Sequence, residues 1–257
     1  MSSRKSAPPS DNDKQQPPRF LMGSGRGGSG KSLCLSYMIE RCLQHTRRPL
    51  IADLDRTNRT LSQLYPGAFT CEEASDSAVM HSCIQFLDAM IASQTSAIMD
   101  IGGGDFIGLK ILTELSIVDL LQANNFKVTF LFPVGSDPDY LAPVARLLEM
   151  NLLEGADIIM ALNGALADES ATGMAGFKSL ADAPEIKAIR NMGGQLVFMP
   201  KLPGARVLAE HRLTLSQAAA DHPAEDGFRL GVTRSFQVRR WLAEMDQSFD
   251  RITGILP

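Results

Sequence analysis

Cysteine is sparse in this 257-residue chain. Cys34, Cys42, Cys71 and Cys83 are the only four, and no two stand in a C-x-x-C pair. All four fall in otherwise apolar patterns, which argues for buried free thiols in a reducing cytoplasm over metal ligands. The four histidines, His45, His81, His211 and His222, are scattered without ligand spacing. Excess positive charge is missing too. The formal net charge is −4, which argues against a constitutively strong nucleic-acid binder and leaves room only for a local basic patch. No apolar run approaches the roughly 20 residues of a membrane span; one of the longest, residues 127–134, reads KVTFLFPV. The polar N-terminus has no apolar segment of the kind a secretory signal needs.

Hydrophobic residues make up 44% of the chain, enough at this length for one large α/β domain with a substantial core. Residues 1–18 (MSSRKSAPPSDNDKQQPP) are rich in Pro, Ser and charge and cannot bury enough surface to order themselves. They are expected to be a disordered tail, with residues 19–257 as the single domain.

The most informative stretch is Gly25-Arg26-Gly27-Gly28-Ser29-Gly30-Lys31-Ser32. It fits G-x-x-x-x-G-K-[ST], a phosphate-binding P-loop. Glycines let the backbone wrap closely round a phosphate chain, because they tolerate φ > 0 and carry no Cβ. The wrapped backbone presents N–H groups to the anion, and the following helix adds its positive end. Lys31 would reach the β- and γ-phosphates, and the Ser32 hydroxyl would hold Mg²⁺. The flanks agree: Arg19–Met22 is a short apolar run suited to a buried strand. From Ser32 to His45, Leu35, Met38, Ile39 and Cys42 recur at helical spacing.

Further along, apolar strands are expected at 50–55, 96–100, 127–134, 157–162 and 195–199. Helices are expected at 76–94, 106–122, after Asp137-Pro138, around 179–192, at 204–220 and at 229–250. Strands alternating with amphipathic helices imply one P-loop-type α/β domain: a mostly parallel sheet with helices on both faces. In such sheets ligands sit beyond the carboxyl ends of the strands. The second strand ends in Asp53 and Asp55, two residues apart and so on one side. They suit either metal-bound or attacking water, or capping and a salt bridge with nearby arginines. The third ends in Asp100 before Gly102-Gly103-Gly104, the Walker-B arrangement of a buried carboxylate beside Mg²⁺, followed by a flexible loop able to sense the γ-phosphate. Asn163-Gly164 reads either as a turn or as an amide suited to an adenine edge. Pro200-Lys201-Leu202-Pro203 is a stiff loop that could wall the base pocket.

In this order, from about Phe20 to Leu202, the landmarks resemble the MinD/ParA group of P-loop ATPases, which includes plasmid- and chromosome-partition ATPases. That group's loop is a deviant Walker A, K-G-G-x-G-K-[ST]; here it is Arg26-Gly27-Gly28-Ser29-Gly30-Lys31-Ser32. Ile51-Ala52-Asp53-Leu54-Asp55 resembles its D-x-D, Ile98-Met99-Asp100-Ile101-Gly102-Gly103 its Walker-B strand, and Leu162-Asn163 its adenine-reading Asn. The resemblance implies ATP and Mg²⁺ as cofactors and a homodimer that closes on ATP. It implies slow, partner-stimulated hydrolysis that times the partition, positioning or transfer of a plasmid or other cargo. Lys31, Asp55 and Arg26 would be catalytic; Gly27 to Ser32, Asn163 and Pro200 would bind nucleotide; Ser32 and Asp100 would support the metal. The group's signature lysine is replaced by Arg26, which keeps the charge and adds a planar fork. Arg26 is either a residue reaching the partner subunit's phosphate or a solvated loop residue.

The last helix, bearing Arg229, Arg234, Arg239, Arg240 and Arg251, allows weak nonspecific DNA contact. Glu244, Asp246 and Asp250 dilute its charge, and a helix packed on the core is the better reading. A metabolic P-loop enzyme, a small-molecule kinase or an ATP-dependent synthetase, stands as the alternative.

Overall fold

A computed structural model of the protein describes residues 16–73, 75–102 and 106–257. Most of the expected tail, residues 1–15, lies outside these, as do Gly103 and Gly104 of the glycine loop. The elements run β1 (Arg19–Gly23), α1 (Lys31–Gln44), β2 (Leu50–Leu54), α2 (Thr60–Leu64), β3 (Phe69–Thr70), α3 (Asp76–Ser93) and β4 (Ala97–Ile101). They continue α4 (Phe106–Glu114), α5 (Ile117–Ala123), β5 (Lys127–Val134), α6 (Ala142–Glu149), β6 (Asp157–Asn163), α7 (Pro184–Asn191) and β7 (Gln195–Met199). The last are α8 (Ala205–Glu210), α9 (Leu215–Ala219) and α10 (Val232–Phe249).

The strands form one all-parallel sheet in the order β3-β2-β4-β1-β5-β6-β7. Period-2 alternation sends neighbouring side chains to opposite faces. Phe20, Met22, Met99, Phe130 and Phe132 pack with residues of α3 to α7 on one face. Leu21, Ile98, Leu131, Ile159 and Val197 pack with α1, α8, α9 and α10 on the other. Strands covered on both faces read as near-continuous apolar runs, and that is why they were visible in the sequence. On α1, Cys34, Leu35, Met38, Ile39 and Cys42 make the buried stripe. All four cysteines are buried free thiols.

Three expectations need correcting. The helix expected over 106–122 is two, because Ser116 takes a left-handed φ of 42° between α4 and α5. The stretch 204–220 is also two helices, broken where Arg212 has φ 50°. There Thr214-Leu215-Ser216-Gln217 restarts the chain as a capping box. The segment around 179–192 starts as a helix only at Pro184, after a 3-10 stretch over Gly173–Leu180. The short α2 and the two-residue edge strand β3 leave no periodic pattern in the sequence. At the other boundary, sheet bonding begins before Arg19: the Lys127 N–H donates to the Pro18 carbonyl at 2.9 Å. Among the described residues no helix is long and apolar enough to cross a membrane.

Candidate nucleotide site

The strand order places the site. The chain moves from β1 out to β2 and back through β4 beside β1, then crosses to β5 on β1's other side. The crevice at that reversal lies beyond the carboxyl end of β1, where the Gly25–Ser32 loop begins. Register sets Gly23 beside Asp100, and Asp100 beside Asp53, so three neighbouring strands end at one level.

Gly23 makes the geometry feasible. A Cβ there would lie 2.7 Å from Leu35 Cδ1, so a larger residue would have to push that side chain aside for α1 to settle this closely on the end of β1. The loop turns tightly, with the Ser29 N–H donating to the Arg26 carbonyl at 3.1 Å. Gly30, at φ 91°, opens α1, and no side chain caps that end. Uncapped first-turn N–H groups beside a wrapped loop are the ordinary anion site of such helices. The Ser29 hydroxyl is buried with no hydrogen-bond partner, a cost that a phosphate oxygen would relieve.

Behind the loop, the Lys31 ammonium pairs with Asp100 Oδ1, and the Ser32 hydroxyl donates to Asp100 Oδ2 at 2.8 Å. Burial pushes the Lys31 ammonium down to about 8, opposed by the charges of Asp55 and Asp53. Asp53 accepts from the Ser62 N–H at 2.8 Å and the Asp55 N–H at 3.3 Å. Asp55 Oδ1 accepts from the N–H groups of Thr57 at 2.8 Å and Asn58 at 3.2 Å. Asp53 thus meets a first-turn N–H of α2, whereas Asp55 closes the turn that precedes that helix. The neighbouring arginines have other contacts: Arg56 pairs with Asp76, and Arg59 donates to the Cys71 carbonyl.

Arg26 stands at the lip of the loop with about half of its side chain exposed (48%). Its guanidinium lies 5.3 Å from the ring centroid of Tyr140 and 3.6 Å from Asp139. Asn163, buried at the end of β6, sits under the loop. Its Nδ2 donates to the Ser29 carbonyl at 2.8 Å, and its Oδ1 accepts from the Ala165 N–H at 3.0 Å. Each end of the amide keeps one further donor or acceptor position. Pro200 is buried, and its carbonyl accepts the indole N–H of Trp241 at 2.7 Å. That bond ties the loop after β7 to α10. A Cβ on Gly164 would lie 3.3 Å from the Lys201 nitrogen, so the loops after β6 and β7 are in close contact.

The structure therefore brings Lys31, Ser32, Asp53, Asp55 and Asp100 together, with Arg26 at the rim and Asn163 beneath. Sequence reasoning missed the bracing by Asn163 and the anchoring by Trp241; single polar contacts across 134 and 41 residues leave no local pattern. On α10, Val238, Trp241, Met245 and Phe249 are buried, as a helix packed on the core requires. Arg239 donates to the Ala219 carbonyl and Arg240 pairs with Glu244.

No protein-family model matches the chain, and no curated protein does. Among solved structures, the cell division protein FtsY of Thermotoga maritima is similar at 9% identity and TM-score 0.48, over 89% of this chain and 69% of that one. The signal recognition particle receptor FtsY of Elizabethkingia anophelis, in complex with GDP, matches at 13% identity and TM-score 0.43; the match covers 65% of this chain and 55% of the receptor. The MinC:MinD cell division complex of Aquifex aeolicus matches at 11% identity and TM-score 0.47, over 88% of this chain and 96% of that one. What this chain binds has to come from its own side chains.

Proposed function

We propose that this chain is a nucleotide-switch ATPase. It binds ATP and Mg²⁺, closes as a homodimer over them, and hydrolyses ATP slowly under stimulation by a partner protein. It thereby times the partition, positioning or transfer of a plasmid or other cargo. The observation that carries this reading is the convergence of Lys31 and Ser32 on Asp100, with the Asp55 loop alongside.

The residues present fit the nucleotide and the metal. The uncapped start of α1 and the buried Ser29 hydroxyl suit phosphate oxygens. Ser32 and Asp100 supply a hydroxyl and a carboxylate, the hard oxygen donors that Mg²⁺ takes, and would hold it partly through water. A metal held by these residues would supply positive charge to offset that of the β- and γ-phosphates. Lys31 adds an ammonium to the same charge. Asp55 orients the attacking water through the carboxylate oxygen that its own loop does not use. Arg26, about half exposed at the lip, leaves Asp139 and Tyr140 to reach the partner subunit's phosphate. Asn163 holds the loop and offers its remaining donor and acceptor to an adenine edge; Pro200 and Lys201 wall the base. α10 contributes at most weak nonspecific contact with DNA.

A second reading has one observation in its favour. A groove of about 470 Å³ opens beside the loop, lined by Met22, Arg26, Ile101, Leu109, Arg146 and Leu147. A metabolic P-loop enzyme would place its acceptor substrate in such a groove.

Light scattering with ATP·Mg²⁺, GTP·Mg²⁺ and ADP, on wild type and Asp55→Asn, separates the readings. The switch reading expects a dimer with ATP only, persisting in Asp55→Asn. A monomer in every state refutes it and favours the metabolic enzyme.

A further inference from the structure

A second cleft lies between α1, α2 and α8, with a volume of about 180 Å³. It shares no lining residue with the loop, Asp53, Asp55, Asp100 or Asn163. Leu33, Leu64, Leu208 and Leu213 give it apolar walls, and two polar groups stand among them. Ser36 is 2% exposed, and its hydroxyl has no hydrogen-bond partner. The Tyr65 hydroxyl lies beside it and donates to the Ser36 carbonyl at 3.3 Å. At the mouth, Arg212 is exposed and makes no ion pair among the described residues. It is also held at φ 50°, a left-handed conformation that a non-glycine residue takes only at some cost.

We propose that this cleft is an effector site for a small organic acid with one apolar body, an aryl or branched-alkyl carboxylate. The size argues for the body: an apolar cavity of about 150 Å³ takes up a benzene molecule. The free guanidinium at the rim argues for the carboxylate, which it meets as a two-pronged donor. The walls argue for a consequence. Thr60, Gln63 and Leu64 belong to α2, which follows the loop capped by Asp55, and the Ser62 N–H of the same helix is bonded to Asp53. An acid wedged against α2 therefore biases the position of the Asp55 loop. That consequence rests on the proposed hydrolytic role of Asp55; the binding itself does not.

Isothermal titration calorimetry on the full chain tests the site, with phenylacetate as the probe and 2-phenylethanol as its uncharged counterpart. The proposal expects saturable phenylacetate binding, at least tenfold weaker binding of the alcohol, and at least a tenfold loss in Arg212→Gly. That variant removes the guanidinium while glycine accepts the left-handed backbone without strain, so the fold is kept. Leu208→Trp, which fills the cleft, abolishes binding if the site is correct. The titration repeated in saturating ATP·Mg²⁺ keeps its stoichiometry. Absence of saturable binding, equal binding by Arg212→Gly, or competition with ATP each overturns the proposal, the last by making the cleft part of the nucleotide site. An ATPase that fails to respond while binding persists refutes only the link to Asp55.

Discussion

Asn163 Nδ2 donates to the Ser29 carbonyl at 2.8 Å, and a Cβ placed on Gly30 would fall 2.5 Å from the same nitrogen. The end of β6 therefore fixes the height of the P-loop. Asn163→Ala removes the bond and leaves a buried carbonyl unpaired, a cost of about 1–3 kcal/mol. If bracing is the residue's whole task, fluorescent ATP and GTP analogues lose affinity by the same factor. A loss confined to the adenine nucleotide would give the amide a base-reading role as well.

Lys31 and Asp100 are both buried, so deleting one partner strands the other's charge. Lys31→Met is expected to lower stability by about 3–5 kcal/mol in urea titrations without nucleotide, in addition to ending hydrolysis. The double variant Lys31→Met/Asp100→Leu should recover much of that loss. A double variant no more stable than Lys31→Met would show that the pair contributes little.

The turn that Asp55 caps and the hydrolytic role proposed for it are separable. Asp55 Oδ1 caps the turn over Thr57 and Asn58, which asparagine can still do and alanine cannot. Asp55→Asn should lose turnover at nearly unchanged stability, whereas Asp55→Ala loses turnover and about 1 kcal/mol. Thermal unfolding beside a phosphate-release assay reads both quantities. Normal turnover in Asp55→Asn removes the catalytic assignment.

Trp241 is the chain's one tryptophan, and its indole N–H is bonded to the Pro200 carbonyl. Trp241→Phe keeps most of the apolar contact with Tyr37, whose ring lies 6.1 Å away, but orphans that carbonyl. A loss of about 1–3 kcal/mol is expected, with hydrogen exchange rising first at the Lys201 and Leu202 amides. Uniform exchange across the fold would contradict the local role.

Burial pushes the thiols of Cys34 and Cys83 up to about 12 and that of Cys42 up to about 11. The thiolate is the nucleophile, and at pH 8 a thiol titrating near 12 is ionised to only about 1 part in 10⁴. A thiol reagent at pH 8 should leave these three unmodified in the native protein and modify all four after denaturation. Peptide mass spectrometry gives the order; early labelling of Cys34 would mean that α1 opens readily.

The sequence showed what periodicity and short motifs can carry. Strands such as Lys127–Val134, covered on both faces, announce themselves as apolar runs, and the loop around Lys31 is a local pattern in eight consecutive residues. It could not show β3, two edge residues with no alternation to read, or the breaks at Ser116 and Arg212, where positive φ falls on residues that do not advertise it. The capping box at Thr214 was legible and was overlooked inside a longer helical pattern. Asp53 and Asp55 were found by type and spacing. Their capping partners, Ser62, Thr57 and Asn58, depend on how the loop folds back, which spacing alone leaves open.

The helix that carries Trp241 also has a bearing on synthesis. Residues of α1, including Tyr37 and Met38, share their apolar cluster with Val238, Trp241, Met245 and Phe249 of α10. A growing chain releases α1 some 200 residues before α10, given their positions in the sequence. During that interval the helix that opens at the P-loop lacks part of its cover, while the opposite face can already close over β4 and β5. Folding on the ribosome should therefore proceed one face at a time, with the face that carries α1 exposed to chaperones until α10 arrives.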